Sequence, residues 1–290
     1  MPEQPRKSAA KARKVRTVAP TSRKPRTKSP RRGKQKKVRK DSMRYLLSVL
    51  ILALFVTAFY YFFIRPYAYR WRSCDGLTGY GICMPHRYTV HGIDISHHQG
   101  NINWDTLEIS RVGLFPIRFI FMKATEGSDW TDRNFENNFA DARLHGFMRG
   151  AYHYFKPAAD ARMQADNFIR HVDLRPGDLP PVLDVEEKGL ISKTDLQRGV
   201  KSWLLRIEEH YGVKPILYAS YRFRTRYLND PFFDDYPYWI AHYYVESVRY
   251  AGSWLFWQHT DRGQVPGIPE PVDLNIFNGK FEDLQTLTLR

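Results

Sequence analysis

The chain has 290 residues, 43% hydrophobic and 15% aromatic, enough apolar material for one sizeable core and too much for a wholly disordered protein. Its net charge of +15 would point to nucleic acid or an anionic surface if it were spread over the folded part. It is not: residues 1–44 hold 18 Lys and Arg against Glu3 and Asp41, a surplus of 16, so the rest of the chain sums to −1.

Residues 1–44 mix Lys and Arg with Pro, Ser, Thr and Gly and read as a disordered basic tail. YLLSVLILALFVTAFYYFFI, Tyr45–Ile64, follows without a charge; at about 1.5 Å per residue it spans roughly 30 Å, the hydrocarbon thickness of a bilayer. Arg44 and Arg65 close it, and Tyr60, Tyr61, Tyr67, Tyr69 and Trp71 suit an interfacial belt. Apolar side chains run all round the segment, unlike the stripe of a core helix. No small-x-small cleavage site precedes Arg65, unlike a signal peptide that is removed. An uncleaved signal anchor is expected, with the N-terminus in the cytoplasm and residues 65–290 on the periplasmic or cell-wall side. Membrane lipid is then a partner, and nucleic acid is not expected to be one, because topology and anionic lipid account for the tail's charge.

Residues 65–87 read as a juxtamembrane linker. Both cysteines, Cys74 and Cys83, lie there in SCDGLTGYGIC, where a Gly-rich loop could close as a disulfide; two free thiols are the alternative. Two such ligands without a nearby histidine pattern make a poor zinc site.

From Tyr88 onward, short apolar or aromatic runs alternate with longer segments of helical period. RYTVHGIDIS, FPIRFIFMKATEG, RGAYHYF, LPPVLDVE, KPILYAS, YPYWIAHY, SWLFWQHT and PVDLNIF are eight candidate strands. NFENNFADARLHG, DARMQADNFIRHV and SKTDLQRGVKSWLLRIEEHYG are candidate helices, the last with Leu196, Val200, Trp203, Leu204 and Ile207 on one face. The later connections contain no convincing helix. Strands separated by helices argue a parallel sheet, and eight of them argue an α/β barrel of TIM type over residues 88–290 whose last strands have lost their helices.

Functional groups in such barrels gather at the C-terminal ends of the strands. Asp94, Glu126, His153, Asp184, Glu186, Tyr218, His242, Gln258 and Asp273 all follow or end apolar runs. Asp184 and Glu186 are two residues apart, so on a strand they share a face. Two carboxylates crowded in a partly desolvated site cannot both ionise easily, so one is held as a proton donor near neutral pH. Cleaving a glycosidic bond needs such a donor for the departing sugar oxygen. Glu187 should point to the opposite face, as a solvated or paired residue.

Tyr152, Tyr154, Tyr218, Tyr221, Trp239, Tyr243 and Trp257 lie near the same strand ends, and flat rings with polar tips suit sugars; about half are expected to line a groove, with Tyr218, Trp239 and Tyr154 foremost. His97, His98, His153, His242 and His259 form no HExxH or close His/Cys set, so neither a metal nor another cofactor is expected. Lys123 could form a Schiff base in an aldolase-like barrel, or simply pair with Glu126.

HGIDISHHQGNINW, FIFMKATEG, RGAYHYF, PVLDVE, YWIAHY, FWQHT and VDLNIF, in this order, resemble the glycoside hydrolase family 25 lysozymes, the Chalaropsis-type muramidases, over about residues 88–285. The resemblance implies a flattened TIM-like (β/α)5(β)3 barrel that hydrolyses the β-1,4 bond between N-acetylmuramic acid and N-acetylglucosamine in peptidoglycan. It puts the general acid on Glu186, its acidic partner on Asp184, and the flanking carboxylates on Asp94 and Asp273. Tyr154, Tyr218, Trp239, His153, Gln258 and Glu126 are the expected substrate contacts. In this family the substrate's own N-acetyl group is often taken as the nucleophile, with the residue matching Asp184 orienting it. An inactive glycan-binding scaffold for wall remodelling is the alternative; the presence of all four carboxylates argues against it.

Overall fold

The computed structural model describes residues 32–65, 74, 76–85 and 87–290. The chain divides into two compact units at Tyr61/Phe62. The first contains helix α1, Arg32–Phe59, which runs on as a π-helical turn over Tyr60–Ile64. Over Lys40–Ile64 this helix is long and apolar enough to cross a membrane, with a mean hydropathy of 2.4 and 0% of its apolar window buried. Residues 32–44, expected to belong to a disordered tail, are helical instead. Lys, Arg and Gln are good helix formers, and extending an existing helix requires no new nucleus. The rest of the expected tail, and Tyr67, Tyr69 and Trp71 of the expected belt, lie outside the described residues.

The second unit opens with a small hairpin, β1 (Thr78–Gly79) and β2 (Ile82–Cys83). Its turn needs left-handed backbone at Tyr80 (φ 52°) and Gly81 (φ 76°), which glycine supplies without strain at the second position. Cys74 and Cys83 are joined by a disulfide with their Cα atoms 5.5 Å apart. This stretch is docked on the barrel. Gln264 N–H donates to the Tyr80 carbonyl at 2.8 Å, Tyr80 Oη donates to the Phe115 carbonyl at 2.7 Å, and Met84 is buried.

The barrel strands are β3 (His91–Ile95), β4 (Ile117–Glu126), β6 (Met148–Tyr154), β7 (Val182–Asp184), β8 (Ile216–Ser220), β9 (Tyr238–Ala241), β10 (Phe256–Gly263) and β11 (Val272–Phe277). A short β5 (Trp130–Thr131) folds back on the end of β4. Neighbours run β3-β11-β10-β9-β8-β7-β6-β4, and β3 pairs with β4 to close the ring. Helices α2 (Trp104–Glu108), α3 (Phe135–Leu144), α4 (Ala161–His171), α5 (Lys193–Tyr211) and α6 (Tyr221–Tyr227) follow the first five barrel strands, and a terminal α7 (Phe281–Thr286) follows β11. The sheet is not parallel throughout: β11 runs antiparallel to both β10 and β3, because no helix separates it from β10 and a short connection reverses the chain.

Side-chain alternation sorts each strand into two layers. Inside the ring, Phe119, Phe121, Val182, Ile216, Trp239, Phe256 and Phe277 form one apolar cluster. Outside it, Ile93, Ile120, Leu183, Leu217, Ile240 and Leu274 pack against the helices, including the predicted stripe Leu196, Val200, Trp203, Leu204 and Ile207 of α5. The α5 ends follow from sequence as well. Ser192 Oγ accepts from Asp195 N–H at 3.1 Å, and Gly212 takes the left-handed position (φ 70°) after the last turn. Helix α6 lies where the sequence shows no convincing period, started by the Ser220 hydroxyl accepting from Phe223 N–H at 3.2 Å.

Candidate active site

The strand ends converge on a cavity of about 240 Å³ lined by Asp94, Lys123, Tyr152, Tyr154, Asp184, Glu186, Tyr218, Trp239, Tyr243, Gln258 and Asp273, with Ser96, His98 and Gln99 at one side. Asp184 ends β7 and Glu186 lies two residues on, so both face the cavity; Glu187 points away and pairs with Lys156 at 3.2 Å. Asp94 comes from the end of β3 and Asp273 from the start of β11. The two are register partners, because the reversed strand brings its beginning to the same rim where the others bring their ends.

The four carboxylates are held differently. Asp94 Oδ2 accepts from Gln258 Nε2 (2.8 Å) and Asn275 Nδ2 (2.7 Å). Asn275 in turn accepts from Trp239 Nε1 at 2.8 Å, which fixes both its amide and the indole. Gln258 Oε1 accepts from Tyr218 Oη (2.6 Å) and Tyr243 Oη (2.5 Å), and Tyr218 Oη also lies 3.1 Å from Glu186 Oε1. Asp184 Oδ1 is buried without a partner among the described residues.

Burial pushes all four acids up. Asp94 rises to about 7, its two amide hydrogen bonds opposing the burial. Asp273 rises to about 9 through burial and then the charges of Asp94, Asp261 and Glu186. Asp184 rises well above the usual carboxylate range through burial and then the charges of Glu186 and Asp94. Glu186 is raised by burial, with the Tyr218 hydroxyl and the Lys123 charge pulling the other way. The set cannot ionise completely near neutral pH, so protons are stored there.

Tyr154, Tyr218, Trp239 and Gln258 of the expected substrate contacts line the cavity; His153 and Glu126 do not. His153 lies between Tyr152 and Tyr154 on β6 and therefore faces outward. Its ring sits against Trp203 of α5, 5.6 Å between centroids, with Nδ1 2.7 Å from Thr125 Oγ1 and Nε2 3.1 Å from Gln164 Oε1. Glu126 is held by Lys123 (2.5 Å) and Lys156 (3.0 Å). Lys123 is thus engaged with a carboxylate, and its ammonium also sits 4.9 Å from the ring centroids of Trp130 and Tyr154, an arrangement that suits a fixed cation better than a nucleophilic amine. Of the other aromatic candidates, Tyr152 and Tyr243 reach the cavity. Tyr221 stacks on His242 at 4.9 Å, and Trp257 packs in the outer layer. Asn275 is a site residue beyond the sequence candidates; its position two residues after Asp273 on one strand gives it the same face.

The sequence matches Glycosyl hydrolases family 25 over residues 93–268, a span that includes Asp94, Asp184 and Glu186 and stops just short of Asp273. The uncharacterized protein YegX of Escherichia coli K12 is 43% identical over 224 residues, 77% of this chain and 80% of that one. Lysozyme M1 of Streptomyces globisporus is 31% identical over 214 residues, 68% of this chain and 71% of its own length. A solved family 25 glycosyl hydrolase from Bacillus anthracis has the same fold, with a TM-score of 0.63 at 32% identity over 70% of this chain and 94% of that one. Barrel, acid-lined cleft and sequence agree, and the chain belongs to glycosyl hydrolase family 25.

Proposed function

We propose that this glycoside hydrolase is a muramidase, cleaving the β-1,4 bond between N-acetylmuramic acid and N-acetylglucosamine in peptidoglycan with Glu186 as general acid. The observation that carries the reading is the placement of Asp184 and Glu186 side by side in one desolvated cavity, in a family that includes a protein named a lysozyme. Tyr218 has one hydroxyl proton, and Gln258 Oε1, which can only accept, takes it at 2.6 Å. The same hydroxyl lies 3.1 Å from Glu186 Oε1, to which it can donate instead. Once Glu186 ionises, the same hydroxyl can turn to the carboxylate, which explains why it moderates the effect of burial.

In the first step Glu186 gives its proton to the departing sugar oxygen as the glycosidic bond breaks. Asp184, with an unpartnered oxygen, accepts the N–H of the substrate's acetamido group and turns its carbonyl oxygen onto the anomeric carbon, closing a cyclic intermediate. Water then opens that ring and gives its proton to the Glu186 carboxylate, which restores the acid. Asp94, raised only to about 7, can supply negative charge beside the positive charge that develops on the sugar, while Asp273, raised to about 9, stays protonated beside it. Tyr154, Tyr218, Trp239 and Gln258 bind the sugar rings and hydroxyls. The same reading puts residues 45–64 across a membrane, the basic N-terminus in the cytoplasm and the barrel outside it.

Purified peptidoglycan incubated with the protein should release fragments with muramic-acid reducing ends, identified by mass spectrometry. Glu186→Gln, folded by circular dichroism, should release them about 10²–10⁴-fold more slowly; turnover at the parent rate in that variant would refute the assignment.

A further inference from the structure

The loop from α2 into β4 carries three large apolar side chains into solvent: Ile109, Val112 and Leu114 are 66%, 73% and 67% exposed. None of them lines the cleft. Single exposed apolar residues are ordinary, but three within six residues on a loop whose neighbours are tied down form a patch. The tying is done by the disulfide hairpin. Tyr80 Oη donates to the Phe115 carbonyl at 2.7 Å and lies 3.4 Å from the Ser110 carbonyl, and a Cβ on Gly79 would stand 2.6 Å from the Phe115 ring. Leu77, next to β1, adds a fourth apolar side chain, 53% exposed.

Chain connectivity says what this patch meets. The apolar helix ends at Ile64, and Cys74 is bonded to Cys83 of the hairpin. The intervening residues 65–73 reach at most about 35 Å when fully extended. The hairpin and its loop are thus the part of the barrel unit tied most directly to the end of the apolar helix. Charges at the patch are balanced, Arg111 standing 3.5 Å from Glu108, so the surface offers apolar contact without a cationic excess.

We propose that Ile109, Val112, Leu114 and Leu77 form a bilayer-docking surface whose partner is the headgroup–acyl boundary of the membrane that holds residues 45–64. The proposal rests on the membrane-anchor reading above. Docking of this kind buries an apolar face by about 5–10 Å and needs no anionic lipid when the face is uncharged.

The test uses the full chain in phosphatidylcholine vesicles with the native disulfide intact and one environment-sensitive fluorophore per sample, attached at Val112→Cys, Phe55→Cys or Leu190→Cys. Phe55 lies in the apolar helix and reports insertion of the anchor. Leu190, 105% exposed on the segment between β7 and α5, gives the aqueous baseline. With spin-labelled lipid, the Val112 and Phe55 labels should be quenched severalfold more than the Leu190 label. Adding Ile109→Ser and Leu114→Ser should abolish quenching at Val112 and leave it at Phe55. Quenching at Phe55 with Val112 at the Leu190 level overturns docking alone. An unquenched Phe55 overturns the anchor and the docking together. Neither result bears on the muramidase reading, which is tested by the fragments released.

Discussion

The two faces of the barrel sheet bury polar groups in opposite ways. On the outer face Arg149 meets Asp178 through two bonds (2.7 and 3.0 Å) and the Phe139 carbonyl through a third (2.5 Å), while the His153 ring has a partner on each nitrogen. On the inner face, four carboxylates from β3, β7 and β11 crowd together, and Asp184 keeps an oxygen without a partner among the described residues. The outer face also buries His259 Nε2 and Trp203 Nε1 without a partner among the described residues, so what sets the inner face apart is crowded charge of one sign, which stores protons for chemistry. The faces also answer pH in opposite directions. Burial lowers His91 and His153 to about 4 and His259 to about 3, so these outward-facing rings stay neutral in the fold. What they contribute to stability is complete above their usual 6.5 and lost as pH falls through 4 and 3. The inward acids weaken the fold as pH rises.

Substitutions can break this contrast one face at a time. The largest effect is expected from Glu186→Gln, with turnover of peptidoglycan down by about 10²–10⁴-fold and the melting temperature nearly unchanged. Arg149→Met should do the reverse. By leaving Asp178 buried and unpaired it should cost about 3–5 kcal/mol in denaturant unfolding, with hydrolysis per folded molecule preserved. His153→Phe strands the Thr125 hydroxyl and should cost about 1–3 kcal/mol, again without moving the pH profile of kcat/KM; a moved profile would return His153 to the site. Asp273→Asn should have an effect that depends on pH. The acid is raised from 3.8 to about 9, so its contribution is complete below 3.8 and lost as pH rises through 9. The amide imitates the neutral acid, so the variant should be more stable than the parent near pH 8 and close to it near pH 4. A gain of the same size at both pH values would disprove burial of a charge at Asp273.

Much of this was legible in the sequence. The eight strands stand where apolar runs with flanking turns put them, and α3, α4 and α5 follow helical period, because local pattern and tertiary burial agree there. Asp94, Asp184 and Glu186 share a cleft as their strand-end positions imply, and Asp273 joins them from the start of the reversed β11. For His153 and Glu126 the sequence offers only proximity to strand ends. Side-chain alternation, already visible in AYHY, assigns His153 to the outer face once Tyr152 and Tyr154 are turned inward. The reversal of β11 depends on the length and course of a loop, which residue pattern does not encode. Docking of the disulfide hairpin depends on contacts with Phe115 and Gln264 far along the chain. Helix α6 is too short for period to register, and the basic stretch of α1 is amphipathic in no direction, so composition spoke for disorder there.

Beneath the four carboxylates the barrel is plugged by rings. Phe121 stacks on Trp239 at 4.6 Å, and Phe256 meets Phe119, Phe121 and Phe277 at 5.2, 5.2 and 5.1 Å. The plug fits only because Gly92 and Gly150 have no side chain: a Cβ there would lie 2.4 Å from Phe119 and 2.5 Å from Phe121. Electrically the plug is an insulator, because buried rings screen one carboxylate from the next far less than water would. The acidity available for cutting a sugar chain is therefore set partly from underneath, by two positions that touch neither substrate nor proton, and anything that lets water under the floor would discharge the site.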